Sequence, residues 1–186
     1  MPRFYPILQR GFYVKAWLGG SIREMLCGQI GLSSECVRKS ISTVFLDGKP
    51  VDDIDSAVIG EGSTLALSSA MPGLVGATMR RDGFYASFRR VITYKEERQY
   101  SLRKEGLFRV KLFNLLMAGL GPLFLSRGIF LEADELKAFF AGQSDDFFYG
   151  CKDVLSEGQP MPCSSLKNTS WAPESEWINL KVCESP

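Results

Sequence analysis

The residues of this chain that are able to do chemistry are few, and histidine is not among them. The sequence of 186 residues contains no histidine, which excludes Ser-His-Asp and Cys-His catalysis and histidine metal sites. Ser-x-x-Lys occurs twice, at Ser101 with Lys104 and at Ser164 with Lys167, but the companion motifs of penicillin-recognising enzymes are missing. With no complete catalytic motif, the sequence leaves open whether the chain is an enzyme and favours a non-catalytic role.

The thiols and carboxylates do not have the spacing of a metal site. No two cysteines stand as Cys-x-x-Cys, and their number is odd, which argues against structural zinc and against a secreted disulfide framework. The acidic run that begins at Asp52 lacks the glycine and glutamate of a calcium-binding loop. We therefore predict no metal, no cofactor and a cytoplasmic protein with reduced thiols, which are Cys27, Cys36, Cys151, Cys163 and Cys183.

Basic and aromatic residues are concentrated in the middle of the chain. Residues 78–111 contain ten basic and four acidic residues, although the net charge of the whole chain is only +1. Two pairs of arginines, at 80–81 and 89–90, flank the aromatic residues Phe84, Tyr85 and Phe88. Single-strand nucleic-acid sites use such a mixture of cations and aromatic rings. The sequence pI of about 7.6 is low for such proteins, so nucleic-acid binding stays the weaker alternative to a protein partner.

The sequence does not predict a membrane protein. The longest uncharged apolar stretch, residues 112–126, has 15 residues and contains Asn114 and Pro122, whereas a spanning helix needs about 20. We expect this stretch to be buried core, interrupted at residues 119–122 by Gly-Leu-Gly-Pro.

The elements that must position these side chains are clearest in the first half. An aromatic and β-branched run predicts a strand over residues 12–18. Ser21 and Glu24 then have the spacing of a capping box, which opens a helix. Further strands are predicted over residues 42–46 and 63–68, the former followed by Asp47-Gly48, a pair typical of tight turns.

This order of elements resembles the ubiquitin-like β-grasp sulfur carriers, the small subunit of molybdopterin synthase and the thiazole-synthesis sulfur carrier. The motifs that match are VFLDGKPV at residues 44–51 and GEGSTLAL at residues 60–67, followed by a tail at residues 69–76. The resemblance covers about a third of the chain. It implies an α+β protein with an N-terminal β-grasp unit over residues 12–76, and a first domain of residues 1–76.

In the resembled family the tail ends in Gly-Gly, its carboxylate becomes a thiocarboxylate, and partners grip it. Here Val75 precedes Gly76, and 110 residues follow, so carrier chemistry would require cleavage after Gly76. The resemblance places a contact surface on the tail and the arginines beyond it. The predicted binding residues are Pro72, Gly73, Gly76, Arg80, Arg81, Tyr85 and Arg89.

Residues 77–186 are predicted as a second, strand-rich α+β domain of unknown type, with residues 95–106 as a polar boundary loop. Strands are predicted over residues 83–88, 91–94, 108–113 and 178–183, a helix over 132–141, and irregular structure after Gly158.

Three functions follow from these observations. The first is a non-catalytic protein-interaction module or complex subunit. The second is a small-molecule binder or enzyme with a site between the two halves, where Arg80, Arg81, Tyr85, Arg89 and Cys151 converge. The third is a processed carrier that ends at Gly76.

Overall fold

The computed structural model describes residues 1–81, 83–89, 91–95, 103–149, 151–169 and 177–184. They form a mixed α+β protein, as predicted, with two compact units. The larger unit is Pro2–Pro122, and the smaller consists of Leu123–Pro186 with Met1. The division predicted after residue 76 does not coincide with this one, because a strand beyond residue 100 belongs to the larger unit.

The larger unit contains five strands and several short helices. Its strands are β1 (Phe12–Leu18), β2 (Thr43–Leu46), β3 (Lys49–Pro50), β4 (Thr64–Ser68) and β5 (Lys104–Phe113). Its helices are α1 (Tyr5–Arg10), α2 (Ser34–Ser40), α3 (Gly73–Met79), 3-10 helices at Pro2–Phe4 and Phe84–Arg89, and a π-helix at Glu24–Gln29. Helix α4 (Leu115–Arg127) begins at its end.

Strand β5 lies between β4 and β1 in this sheet. The strand order within the unit is β3-β2-β4-β5-β1, with β4 and β5 parallel and the other pairs antiparallel. Phe108, Val110 and Leu112 of β5 are buried, in the alternation that the sequence predicted for a half-buried strand. Strands β1 and β4 both pair with β5, so the sheet begun by residues 12–68 is completed only by residues 104–113.

Local sequence explains the helix that follows β1 and the turn between β2 and β3. The backbone N–H of Ser21 donates to Glu24 Oε2 at 3.1 Å, and that of Glu24 donates to Ser21 Oγ at 3.1 Å, so the predicted capping box is confirmed. Asp47 and Gly48 have φ angles of 51° and 78° and join β2 to β3 as predicted. The Asp47 carboxylate also accepts from the backbone N–H of Thr64 at 2.7 Å, which ties the turn to β4.

The strands predicted over residues 83–88 and 91–94 are wrong. Residues 84–89 form a 3-10 helix, and residues 91–94 contain no strand. Tyr85 and Phe88 are three residues apart, the repeat of a 3-10 helix, and their rings stack there, whereas the prediction assumed the two-residue repeat of a strand. Arg90, Ser101 and most of the predicted loop 95–106 lie outside the described residues, and residues 104–106 belong to β5.

Helix α4 corrects the break predicted at residues 119–122. It runs from Leu115 to Arg127 with Pro122 inside it, although an internal proline removes one backbone hydrogen bond. Its buried side chains are Leu116, Leu120, Phe124 and Leu125, so the interpretation of this stretch as core is confirmed. Within the described part of the chain, no helix has the length and apolar character needed to cross a membrane.

The described residues of the smaller unit form two pairs of strands, the α-helix α5 (Ala133–Ala141) and two 3-10 helices. Strand β6 (Ile129–Glu132) pairs antiparallel with β9 (Trp177–Leu180), and β7 (Val154–Ser156) forms a hairpin with β8 (Gln159–Met161). Helix α5 lies where a helix was predicted, and β9 overlaps the predicted final strand. The prediction of irregular structure after Gly158 was wrong, because β8 and a 3-10 helix at Cys163–Lys167 follow that residue. A further 3-10 helix covers Asp145–Phe147.

Candidate functional site

The predicted binding residues all lie on one stretch of the larger unit, residues 72–89, but they differ in role. Pro72 is the exposed N-cap of α3. Gly73 begins the helix with a φ of 75°, a conformation that favours glycine. Tyr85 and Arg89 lie on the 3-10 helix that follows.

Gly76 is a packing position and not part of an extended tail. It lies inside α3 and is buried. A Cβ atom built there would lie 1.9 Å from the backbone oxygen of Met71, a separation that no side chain tolerates. The segment that resembles the carrier tail is therefore helical here, and its glycine is required by close contact with the backbone of Met71.

Arg89 holds the segment together from inside. Its side chain is only 3% exposed and forms a bidentate ion pair with Asp52, with N–O distances of 2.5 and 3.0 Å. It also donates to the backbone oxygens of Thr78 and Arg80 at 2.6 and 3.4 Å and to Thr93 Oγ1 at 3.0 Å. A buried guanidinium needs this degree of hydrogen bonding. Arg89 is therefore a positioning residue that is not available to a ligand.

The other two arginines are exposed to different degrees. Arg81 is half-buried, and its guanidinium donates to the backbone oxygens of Val37 and Ile41 at 3.4 and 3.3 Å. Its backbone N–H donates to Ser42 at 2.8 Å, so Arg81 joins the segment to the end of α2. Arg80 is the C-cap of α3 and is exposed. Of the three, Arg80 is the one presented to solvent.

The most unusual feature of this region is the exposure of its apolar side chains. Phe84 is 89% exposed, Phe88 77% and Val91 95%. Among the described residues from 69 to 95, only Gly76 and Arg89 are buried. We call residues 73–92 the anchored segment. Its exposed large apolar side chains are Leu74, Val75, Phe84, Tyr85, Phe88, Val91 and Ile92.

These side chains stand on a connected structure. Helix α3 contacts the 3-10 helix. The Tyr85 ring packs edge-on against Phe84 with centroids 5.2 Å apart and stacks with Phe88 at 6.0 Å. Downstream, the backbone N–H of Tyr94 donates to Pro50 at 2.8 Å. Polar contacts to Asp52, Ser42 and Pro50 thus fix the segment while its rings face outwards.

Next to the segment, the larger unit has an open cleft of about 600 Å³. Arg81 is the only predicted binding residue among its lining residues. Its charged side chains are three arginines and four carboxylates, and Arg23 is paired with Asp55 there. This pairing raises the pKa of the Arg23 guanidinium, chiefly through the hydrogen bond that it donates to Asp55. Because its charges offset one another, the cleft shows no preference for an anion. Its charged side chains are Arg23, Arg38, Arg81, Glu35, Asp52, Asp53 and Asp55.

The predicted convergence of the arginines with Cys151 receives no support from this unit, because Cys151 belongs to the smaller one. No group of three or more cysteine and carboxylate side chains within the described residues is arranged to hold a metal ion. Asp52 lies outside the anchored segment, and the sequence analysis missed it as the ion-pair partner of Arg89.

The sequence analysis also missed several members of the exposed apolar set. Leu74, Val75, Val91 and Ile92 looked like ordinary tail or strand residues. A signal was present: the four residues form two short, isolated apolar pairs, and Val91 and Ile92 directly follow two arginines in the most basic part of the chain, residues 78–111. Comparison with known proteins adds nothing to this geometry, since no family model, curated protein or solved structure matches the chain.

Proposed function

We propose that this chain is a protein-binding module and that the anchored segment, residues 73–92, is its docking surface. The observation that carries the proposal is the exposure of seven large apolar side chains within 20 residues, on a scaffold fixed by a buried arginine. Exposed apolar groups of this density mark interaction sites in soluble proteins.

The types of side chain fit an interface. Aromatic residues and arginine are enriched at protein interfaces, and they dominate the few positions that supply most of the binding energy. Phe84, Tyr85 and Phe88 supply three neighbouring rings and Arg80 an exposed guanidinium. Burying one exposed phenylalanine contributes about 2 kcal/mol, so each ring that a partner covers strengthens binding by a gain of that order.

The scaffold reduces the entropic cost of binding. The backbone of the segment is tied to the sheet layer through Arg81, Arg89 and Tyr94. A surface that is ordered before its partner arrives loses less conformational entropy on binding. The polar anchoring therefore serves a purpose that apolar packing would not, because it leaves the rings free for a partner.

Charge defines the partner further. Residues 78–111 have six more basic than acidic residues, and Arg80 is exposed beside the rings. A complementary partner presents an apolar face bordered by aspartate or glutamate. Single-stranded nucleic acid would also suit rings and arginines, but Arg89 and Arg81 donate to protein groups, which favours the protein partner.

We infer a β-grasp arrangement for the larger unit, in which residues 104–113 supply an inner strand. The support is the order strand, helix, strand, Asp-Gly turn, strand at residues 12–68, together with the pairing of β5 between β4 and β1. The proposal does not extend to carrier chemistry, because cleavage after Gly76 would remove β5.

The test compares binding of native-extract proteins by immobilised full-length chain and by the double variant Phe84→Ser/Phe88→Ser. Leu155→Ser is the matched control, since Leu155 is also an exposed apolar residue, 65% exposed, but lies on the β7–β8 hairpin. We expect one or a few proteins to be retained by the wild-type chain and the control and lost, at least tenfold, with the double variant.

Three further measurements separate the alternatives. Binding of a fluorescent oligo(dT) and flotation with anionic vesicles are measured for the same three proteins, and gel filtration reports self-association. Loss of oligonucleotide or vesicle binding in the double variant, with protein retention unchanged, would overturn the proposal. Equal retention of the same proteins by all three chains would overturn it as well.

A further inference from the structure

Two of the five cysteines lie together at the open end of the β7–β8 hairpin. The hairpin pairs Val154 with Met161 and Ser156 with Gln159. Cys151 lies three residues before this hairpin and Cys163 two residues after it, so the two residues flank its open end. The contact is present in the structure: the Cys163 thiol lies 3.6 Å from the backbone oxygen of Cys151, to which it donates a weak hydrogen bond.

The surroundings of the two thiols are accessible. Cys151 is exposed and Cys163 is half-buried. The Cys163 sulfur reaches the backbone of Cys151, and the two thiols also interact through a side-chain hydrogen bond, so the two sulfur atoms are close enough for a disulfide to form by side-chain rotation. Cys27, Cys36 and Cys183 are also free thiols, but none has another cysteine within a hydrogen-bond contact among the described residues.

We propose that Cys151 and Cys163 form a redox-active dithiol, a modification site that peroxide oxidises to an intramolecular disulfide across the base of the hairpin. In the first step the Cys163 thiolate attacks one peroxide oxygen, giving a sulfenic acid and releasing hydroxide. In the second step Cys151 attacks the sulfenic sulfur, the S–S bond forms, and water leaves. Two thiols and one hydrogen peroxide thus give one disulfide and two waters.

The assignment of roles follows from the environment of Cys151. Desolvation, and then the hydrogen bond and charge of Cys163, raise the pKa of the Cys151 thiol to about 11. Cys151 is therefore protonated at neutral pH, and since the thiolate is the attacking form, it is the poorer first nucleophile. It is suited to the second step, in which its neighbour is already oxidised.

Tryptic peptide mapping tests the proposal on the full-length chain. Trypsin cleaves after Lys137, Lys152 and Lys167, so each cysteine of the pair lies on its own peptide with no other cysteine. After treatment with one equivalent of hydrogen peroxide and blocking of free thiols, we expect peptides 138–152 and 153–167 linked, with a mass about 2 Da below their sum. Reduction separates them.

Three variants complete the design. Cys151→Ser and Cys163→Ser each abolish the linked peptide, while Cys36→Ser leaves its yield unchanged. Circular dichroism of each variant before oxidation shows that the comparison is made between folded proteins. In the wild-type chain the count of reactive thiols falls from five to three. Sulfinic acid at Cys163 without a linked peptide, or a disulfide that joins either cysteine to Cys27, Cys36 or Cys183, would overturn the assignment.

Discussion

Two helical stretches of the larger unit differ in whether their large apolar side chains are buried or exposed. Residues 22–41, which include the π-helix and α2, bury their large apolar side chains. The anchored segment, residues 73–92, has a similar content of such residues and exposes them. The buried set in the first stretch is Ile22, Met25, Leu26, Ile30, Leu32, Val37 and Ile41.

The difference lies in what fixes each stretch. The first is held by removal of apolar surface from water, which contributes about 25 cal/mol per Å². The second is held by Arg89 with Asp52, by Arg81 with the carbonyls of α2, and by backbone hydrogen bonds. A segment that is anchored by polar contacts leaves its apolar side chains exposed, so under the proposed function stability and recognition use different residues.

The largest expected effect tests whether the first stretch stands without the later strand. A chain that ends at Gly76 lacks β5, which pairs with both β1 and β4. The buried side chains of the truncated chain then lack β5 to pack against. We expect no cooperative unfolding transition in circular dichroism and no dispersed amide signals in NMR. A cooperative transition in the truncated chain would show that residues 1–76 fold alone, as the sequence resemblance implies.

Two matched substitutions, one in each stretch, test directly whether burial distinguishes the two sets of side chains. Leu26 is fully buried and Phe88 is 77% exposed. Leu26→Ala should lower the free energy of unfolding by about 3 kcal/mol, whereas Phe88→Ala should change it by less than about 0.5 kcal/mol and weaken partner retention. Chemical denaturation measures both. Equal destabilisation by the two substitutions would mean that the Phe88 ring is part of the core.

Arg89→Ala should release the anchor and leave Asp52 and two backbone carbonyls without their donor. Removal of one partner of a buried ion pair costs about 3 kcal/mol, and the half-exposed Asp52 reduces this towards about 2 kcal/mol. Hydrogen exchange should quicken in residues 73–95 more than in β1 or β5. The control is Arg80→Ala, an exposed neighbour, which should leave both stability and exchange unchanged.

Much of the first half follows from the sequence because its signals are local. The Ser21–Glu24 capping box, the Asp47-Gly48 turn and the alternation of β5 depend on residues a few positions apart. The placement of β5 between β1 and β4 depends on pairing between residues that are far apart in the sequence, such as Phe12 and Val110. No local sequence pattern contains this information. The Arg89–Asp52 pair is equally long-range, so sequence reasoning counted Arg89 among the ligand-binding residues.

The smallest expected effect concerns the turn that carries Asp52. The neighbouring Asp53 accepts hydrogen bonds from the backbone N–H groups of Asp55 and Ser56 at 2.8 and 3.3 Å. These bonds, chiefly that from Asp55, lower the pKa of Asp53 below its ordinary value of 3.8. The stabilisation is therefore complete above pH 3.8 and is lost as the pH falls through the lower, folded-state pKa.

Asp53→Asn keeps an oxygen acceptor but cannot titrate, so it tests this effect alone. Between pH 5 and pH 2, the free energy of unfolding of the wild-type chain should fall more than that of the variant, by less than about 0.5 kcal/mol because Asp53 is exposed. Parallel curves would show that the Asp53 turn adds nothing to the anchor. If the free energy of unfolding of the variant fell more steeply than that of the wild-type chain, the pH dependence would come from a group other than Asp53. The carboxylate of Asp52, which pairs with Arg89, would then be the next group to test.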